Sequence, residues 1–185
     1  HDMNAVKEYC DRAILIEKGK IAHTGTPMAV AREYTKLFVP DEEKEDDAKG
    51  LRWGSKEIVF DTVKVSPKKI RNDDIKVTVN MTARETVSHP IVGFSIKNAA
   101  DEAVIGTNSK LANLDVGVIK KGETVSISWD VENVLNDGKY FVNVAVESQD
   151  QKALDWWDEA ATFNVYKDTS TGFAIHLPIK TTIRR

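Results

Sequence analysis

The 185-residue chain is 41% hydrophobic and 30% charged, the proportions of a soluble globular protein long enough to bury a sizeable core. The formal net charge is -3, and Asp41 to Lys49 alone, with six acids and two lysines, more than supplies it. The remainder is close to neutral and has no basic footprint for a nucleic acid. One cysteine, Cys10, excludes an intramolecular disulfide framework. With no membrane-length apolar stretch and no secretory leader in the sequence, we expect a cytosolic chain.

In chain order, residues 1–38 read as an α/β piece. Asn4 to Tyr9 suits a short helix, Arg12 to Glu17 an apolar strand, Lys18-Gly19 a turn, and Lys20 to His23 a second strand. Thr26 offers an N-cap ahead of Pro27 at the first helical position, and an amphipathic helix runs on to Phe38. Residues 39–50 are an acidic, solvated linker, with Pro40 helping to end the helix.

From Leu51 onward the pattern has period two. Ile75, Val77, Val79 and Met81 alternate with polar residues, as do Val125, Ile127, Trp129 and Val131. Val92, Phe94 and Ile96 alternate with Gly93, Ser95 and Lys97, and Tyr140, Val142, Val144 and Val146 with Phe141, Asn143, Ala145 and Glu147. Each set marks a strand with one buried face. Turn signals separate the strands at residues 71–74, 98–101, 120–122 and 136–138. Regular strands with short breaks and no long helix predict an all-β domain over residues 51–185, an antiparallel β-sandwich of immunoglobulin-like or jelly-roll type. Beyond Gly172, Phe173, Ile175 and Leu177 alternate once more. Such a terminal strand pairs either within its own sandwich or with the edge of a partner.

The opening residues resemble the end of an ABC transporter ATPase domain. His1-Asp2, a short helix, Cys10-Asp11-Arg12, an apolar strand, Lys18-Gly19-Lys20-Ile21 and Gly25-Thr26-Pro27 leading into a helix stand in the order found there. The resemblance implies that His1 matches the histidine that reaches the terminal phosphate of ATP. The chain by itself lacks the rest of that chemistry. Gly19-Lys20 and Gly138-Lys139 have neither the upstream glycine nor the following Ser or Thr of a phosphate loop. ATP and magnesium are therefore expected only in an intact parent, and no cofactor in this chain.

Residues 51–178 resemble the C-terminal β-sandwich of the ATP-binding subunit of O-antigen polysaccharide exporters, the Wzt type. The resemblance is carried by Arg52-Trp53-Gly54, Pro90 to Ile96, Ile105-Gly106-Thr107-Asn108, Leu135 to Tyr140, Phe163-Asn164-Val165 and Gly172 to Pro178. It implies a non-catalytic domain that recognises the non-reducing terminus of the glycan, through a chain-terminating modification, and so selects finished polysaccharide for export. It also implies a homodimer, with exchange of the terminal strand, at the bacterial inner membrane beside a transmembrane permease.

A sugar needs an aromatic plate for its C–H faces, and amides, carboxylates or hydroxyls for its oxygens. On the faces opposite the predicted core, Ser95, Lys97, Phe141, Asn143 and Glu147 supply these groups. Trp156-Trp157 adds an indole pair pointing to opposite faces, one of them available. Lys97 is placed to meet an anionic terminal group, while Trp53 and Trp129 are expected to pack. His89 and His176 are expected in a loop and in solvent respectively. The four histidines and Cys10 show no metal-ligand spacing. Two other readings stand beside glycan recognition. One is a structural or regulatory module that dimerises an ATPase; the other is a glycan-cleaving enzyme using Asp155, Asp158 or Glu159.

Overall fold

The computed structural model of the chain describes residues 6, 9–36, 51–71, 73–168, 171–173, 175–177, 179 and 181–183. His1, most of the expected first helix and the whole acidic linker lie outside them. In the N-terminal part, β1 (Ala13–Glu17) and β2 (Lys20–Gly25) form an antiparallel hairpin. Its two-residue turn is Lys18-Gly19, both at positive φ, the geometry that matches the twist of the flanking strands. Thr26 caps α1 (Pro27–Lys36) through Oγ1, which accepts the Ala29 N–H at 3.3 Å. Leu15, Val30 and Ala31 are buried between hairpin and helix, but Ile14, Ile16 and Ile21 are exposed.

The second part is a two-layer β-sandwich, as the alternation predicts. Its strands are β3 (Arg52–Trp53), β4 (Ile58–Ser66), β5 (Lys69–Ile70), β6 (Ile75–Ala83), β7 (Val87–Ser88), β8 (Ile91–Lys97), β9 (Ala103–Asn108), β10 (Val118–Ile119), β11 (Thr124–Val131), β12 (Gly138–Glu147) and β13 (Ala153–Val165). One sheet runs β3-β13-β12-β8-β9, with β5 pairing parallel to the far end of β13; the other runs β11-β6-β4. β7 and β10 form a small separate ribbon.

The core lies between the sheets. Ile75, Val77, Val79 and Met81 of β6 are fully buried, and they face Val92, Ile96, Val142, Val144 and Val146. Trp129 packs as expected, its ring centroid 4.9 Å from that of Phe94. Tyr140 is also in the core, and its hydroxyl donates to the Asn136 carbonyl at 3.0 Å. This tie, from a strand's start to backbone a few residues upstream, is the kind that closes corners in immunoglobulin-type sandwiches. Burial pushes the Tyr140 phenol above its ordinary pKa.

One polar group sits among these apolar ones. Asp155 of β13 is 0% exposed and pairs in register with core-facing Val146, so its carboxylate points between the sheets. Oδ1 accepts from Arg52 Nε (3.1 Å) and Lys56 Nζ (2.7 Å), and Oδ2 from Arg52 Nη2 (2.6 Å) and the Phe60 N–H of β4 (2.8 Å). A carboxylate so committed is not placed for glycoside cleavage. The segment carrying Arg52 and Lys56 lies along β13: Leu51 O accepts from Asp158 N–H, while the Ser55 and Lys56 N–H groups donate to Ala153 O and Leu154 O. Between them Gly54, at φ 138°, passes so close that a Cβ would lie 2.5 Å from Leu154 O. That contact explains the glycine of Arg52-Trp53-Gly54.

The expected terminal strand is absent from the described residues. One bridge, Leu135 to Ile175, is formed within the chain, and Phe173, Leu177, Ile179 and Ile183 are exposed. Asn136 holds the segment's start, donating to Phe173 O and accepting from Thr171 N and Oγ1. His176 is half-buried rather than in solvent, with Nδ1 shielded and unpaired. Truncating the buried anchor, Asp155→Ala, strands two cations and one backbone donor and is expected to cost about 3–5 kcal/mol. Urea denaturation measures it, with the exposed pair of Lys121 and Glu85 as a control whose loss changes stability by less than about 1 kcal/mol.

Candidate functional site

The outer faces of the two sheets differ. On β11-β6-β4, side chains satisfy one another: Thr78 with Ser128, Thr82 with Thr124 and Asp61, and Asn80 with Thr62. The outer face of the larger sheet instead carries an open groove of ≈ 160 Å³ across β9, β8, β12 and β13.

The strand register shows how the groove arises. Asn108 pairs with Gly93, Gly93 with Ala145, Ala145 with Trp156, and Trp156 with Trp53, so these five side-chain positions form one rung across five strands. The two smallest side chains stand in the middle and larger ones flank them. With strands ~4.8 Å apart, the Asn108 and Trp156 strands lie roughly 14 Å from each other across a floor of glycine and alanine. Gly93 is required by close approach: a Cβ would meet Asn108 Cβ at 2.7 Å and Thr107 O at 2.8 Å.

Trp156 makes the aromatic wall. Its ring stacks on Trp53 at 5.3 Å with an interplanar angle of 16°, and its indole N–H donates to Asp158 Oδ1 at 3.1 Å. Trp53 packs, as expected, yet what it packs against is the wall of the groove. Asn143 stands on the next rung, opposite Ser95. There β13 bulges: Val142 pairs with Ala161 but Val144 with Trp157, so three residues of β13 face one of β12. The bulge takes the Glu159 N–H out of the ladder, and Asn143 Oδ1 accepts it at 2.8 Å. That bond fixes the amide, and its NH₂ and the Ser95 hydroxyl have no hydrogen-bond partner among the described residues while both residues line the groove.

Of the residues singled out from sequence, the structure brings Ser95, Asn143, Glu147 and Trp156 to one groove. Three others lie elsewhere. Trp157 pairs with core-facing Val144 and lies under the Arg52 guanidinium, 4.2 Å from its ring centroid, because adjacent strand residues face opposite ways. Lys97 is only 13% exposed and its ammonium is bonded to Asp101 at 2.8 Å, which holds the β8–β9 turn. Phe141 does face outward, one rung beyond Asn143 and opposite Lys97, but the Lys139 ammonium covers it at 4.9 Å. His1 lies outside the described residues. Thr107 and Asn108 of the far wall were not singled out as site residues.

Beyond one end of the groove, past Ile91, the His89 ring bonds Asp115 at 2.7 Å. That bond, with the Gly117 N–H, holds the Asp115 carboxyl below its usual range. Among the described residues no group of three or more His, Cys, Asp or Glu could hold a metal ion. The Gly19-Lys20 pair forms a hairpin turn and strand start and does not fit a phosphate cradle.

Fold and groove together define a β-sandwich recognition domain, with an indole, two amides, a hydroxyl and one carboxylate along an open trough. A family model, the Wzt C-terminal domain, matches residues 49–175, and the chain belongs to that family. Among solved structures, the crystal structure of the C-terminal domain of wzt superposes with a TM-score of 0.66 at 18% identity, covering 72% of this chain and 87% of that one. A β-glucuronidase from glycoside hydrolase family 2 (TM-score 0.39, 14% identity, 60% and 11% covered) and a β-glucosidase from Erythrobacter marinus (0.40, 11%, 59% and 15%) match at a level too low to establish a common fold. No curated protein matches the sequence. Membership of the family supports a carbohydrate-binding role in an O-antigen exporter. No helix among the described residues is long and apolar enough to cross a membrane.

Two outcomes are expected. Gly93→Ala forces β9 away from β8 and costs about 1–3 kcal/mol by overpacking, read by thermal or urea unfolding. The folded pKa of Asp115 is depressed, so its contribution to stability is present above the unfolded carboxylate value and is lost as pH falls through the folded value. An NMR titration places the Asp115 midpoint lower in the wild type than in His89→Ala.

Proposed function

We propose that the groove bounded by Trp156 and Asn108 binds the non-reducing terminus of an O-antigen polysaccharide, distinguishing chains that carry a terminating modification, and so marks finished glycan for export. The observation that carries this reading is the Asn143 NH₂ and the Ser95 hydroxyl, without partners among the described residues, over a Gly93-Ala145 floor beside an indole. Apolar C–H faces and hydroxyls of a sugar match that combination. No step of bond cleavage is assigned to it.

The same reading makes residues 1–38 the end of an ATPase domain, with His1 as its phosphate-sensing histidine and ATP and magnesium bound by the parent's missing elements. The exposed Ile14, Ile16 and Ile21 on the hairpin support it, since such a face is normally covered. The parent works as a peripheral inner-membrane subunit beside a transmembrane permease. It is a homodimer whose terminal segment crosses to the partner; in support, Phe173, Leu177, Ile179 and Ile183 are exposed.

Calorimetric titration with two polysaccharide samples differing only in the terminal modification tests the site. Binding in the roughly micromolar to millimolar range is expected for the terminated sample alone. Ser95→Ala removes a groove hydroxyl that has no hydrogen-bond partner among the described residues, and is expected to weaken binding about 3- to 10-fold with unfolding unchanged within about 1 kcal/mol. Absence of binding by the folded protein turns the assignment toward a structural dimerisation module. Light scattering tests that role separately: deletion of residues 173–185 is expected to convert a dimer to a monomer.

A further inference from the structure

The polar end of the groove has a direction as well as a composition. Ser95 and Asn143 are paired residues of β8 and β12, so their side chains stand about 5 Å apart on the outer face. Asn143 is only 4% exposed, and its Oδ1 is occupied by the Glu159 N–H at 2.8 Å. Its NH₂ has no partner among the described residues and, unlike the wholly shielded indole N–H of Trp53, reaches open space. On the other side of Ser95 stands Gly106, where a Cβ would lie 3.3 Å from the Ser95 Cβ. No side chain at that position covers the hydroxyl. The far wall repeats the pattern: Asn108 Oδ1 accepts the Leu111 N–H at 2.8 Å, which leaves its NH₂ as the group presented. Both amides offer donors while their oxygens are occupied.

Two adjacent donors in a sheltered site call for an acceptor with two lone pairs and no hydrogen of its own. A sugar hydroxyl brings a hydrogen for which the adjacent amide oxygen is already taken. An ether oxygen is crowded by the two carbons it joins. A carbonyl oxygen accepts from both sides, and a methyl beside it meets the apolar Gly93-Ala145 floor one rung away. Anionic acceptors are matched best by charged donors, yet the described lining residues include no Lys, Arg or His. Lys97, next along β8, is bonded to Asp101. Glu147 lines the opposite end, four residues along β12 from Asn143 and so roughly 13 Å away.

Resting on the carbohydrate reading of the same groove, we propose that the terminating group it recognises is an acyl group, an acetamide or an acetate ester on the terminal sugar. The carbonyl oxygen accepts from Asn143 Nδ2 and Ser95 Oγ together, and the methyl lies on Gly93 and Ala145.

The test uses the full 185-residue chain and methyl hexosides altered at each ring position in turn. Each position carries hydroxyl, methyl ether, carboxymethyl ether, O-acetyl or acetamido. Protein-observed NMR follows the Asn143 side-chain NH₂ and the Gly93 and Ala145 amides. At least one acyl probe is expected to bind about 10-fold or more tightly than the hydroxyl probe. It moves the Asn143 NH₂ protons downfield and gives an NOE from the acetyl methyl to the Ala145 methyl. Preference for acetamido or for O-acetyl separates an amide from an ester as the source. Ser95→Ala lowers acyl-probe affinity about 3- to 10-fold and hydroxyl-probe affinity less than about 2-fold, while the spectrum stays folded. Equal or tighter binding of a hydroxyl, methyl ether or carboxymethyl probe overturns the proposal and leaves carbohydrate binding standing. So do an unmoved Asn143 NH₂ signal, a missing NOE, an equal loss for both probes in Ser95→Ala, or failure of every acyl probe while the terminated polysaccharide binds. Failure of every probe, and of the terminated polysaccharide, to shift the groove signals removes the carbohydrate reading and this inference with it.

Discussion

The Asp155 carboxylate is the constraint on which the sandwich's geometry depends. Its two oxygens take four donors, from Arg52, Lys56 and the Phe60 backbone. They thereby join the domain's first residues, the strand β13 and the opposite sheet at one point. A buried charge is tolerated only when it is fully paired, so these three elements cannot move apart independently. Arg52 extends the cluster by covering Trp157 and by donating to Phe60 O at 2.6 Å.

That anchor also shapes the outer surface. With Asp155 turned inward, its neighbour Trp156 is turned outward, and β3 is held where Trp53 stacks behind it. The aromatic wall of the groove is thus one residue away from the carboxylate that pins the strand. Two residues further along, β13 leaves the ladder in the bulge that Asn143 fills. A bulge re-aims side chains and breaks pairing; here it fixes an amide with its donors toward the trough. The same asparagine therefore has a structural bond on one side and a recognition surface on the other.

Much of the fold was legible because period-two alternation reports burial directly. The four apolar sets on β6, β8, β11 and β12 face the core, and the turns at Lys18-Gly19 and Lys120 to Gly122 fall where glycine marked them. The outward positions Ser95, Asn143 and Glu147 follow from the same parity, and they share the groove. Lys97 and Trp157 lie away from the groove for reasons that parity does not contain. Lys97 found a carboxylate four residues on, and the orientation of the Trp pair depended on which of its members Asp155 turned outward. Of the terminal alternation at Phe173 to Leu177, the described residues show one antiparallel bridge, Leu135 to Ile175, because alternation marks a strand's faces and does not say which edge it pairs with.

By itself, the sequence determined the all-β character of the second part, the identity of the core faces and the capped helix of the first, since these rest on local periodicity and on the chemistry of single residues. Only the tertiary structure decided which outward residues meet. Asn108, Gly93, Ala145 and Trp156 are far apart in the chain, and they become one rung through strand register. Register is set by cross-strand pairing, by bulges and by one buried carboxylate, which are long-range interactions that no local pattern encodes.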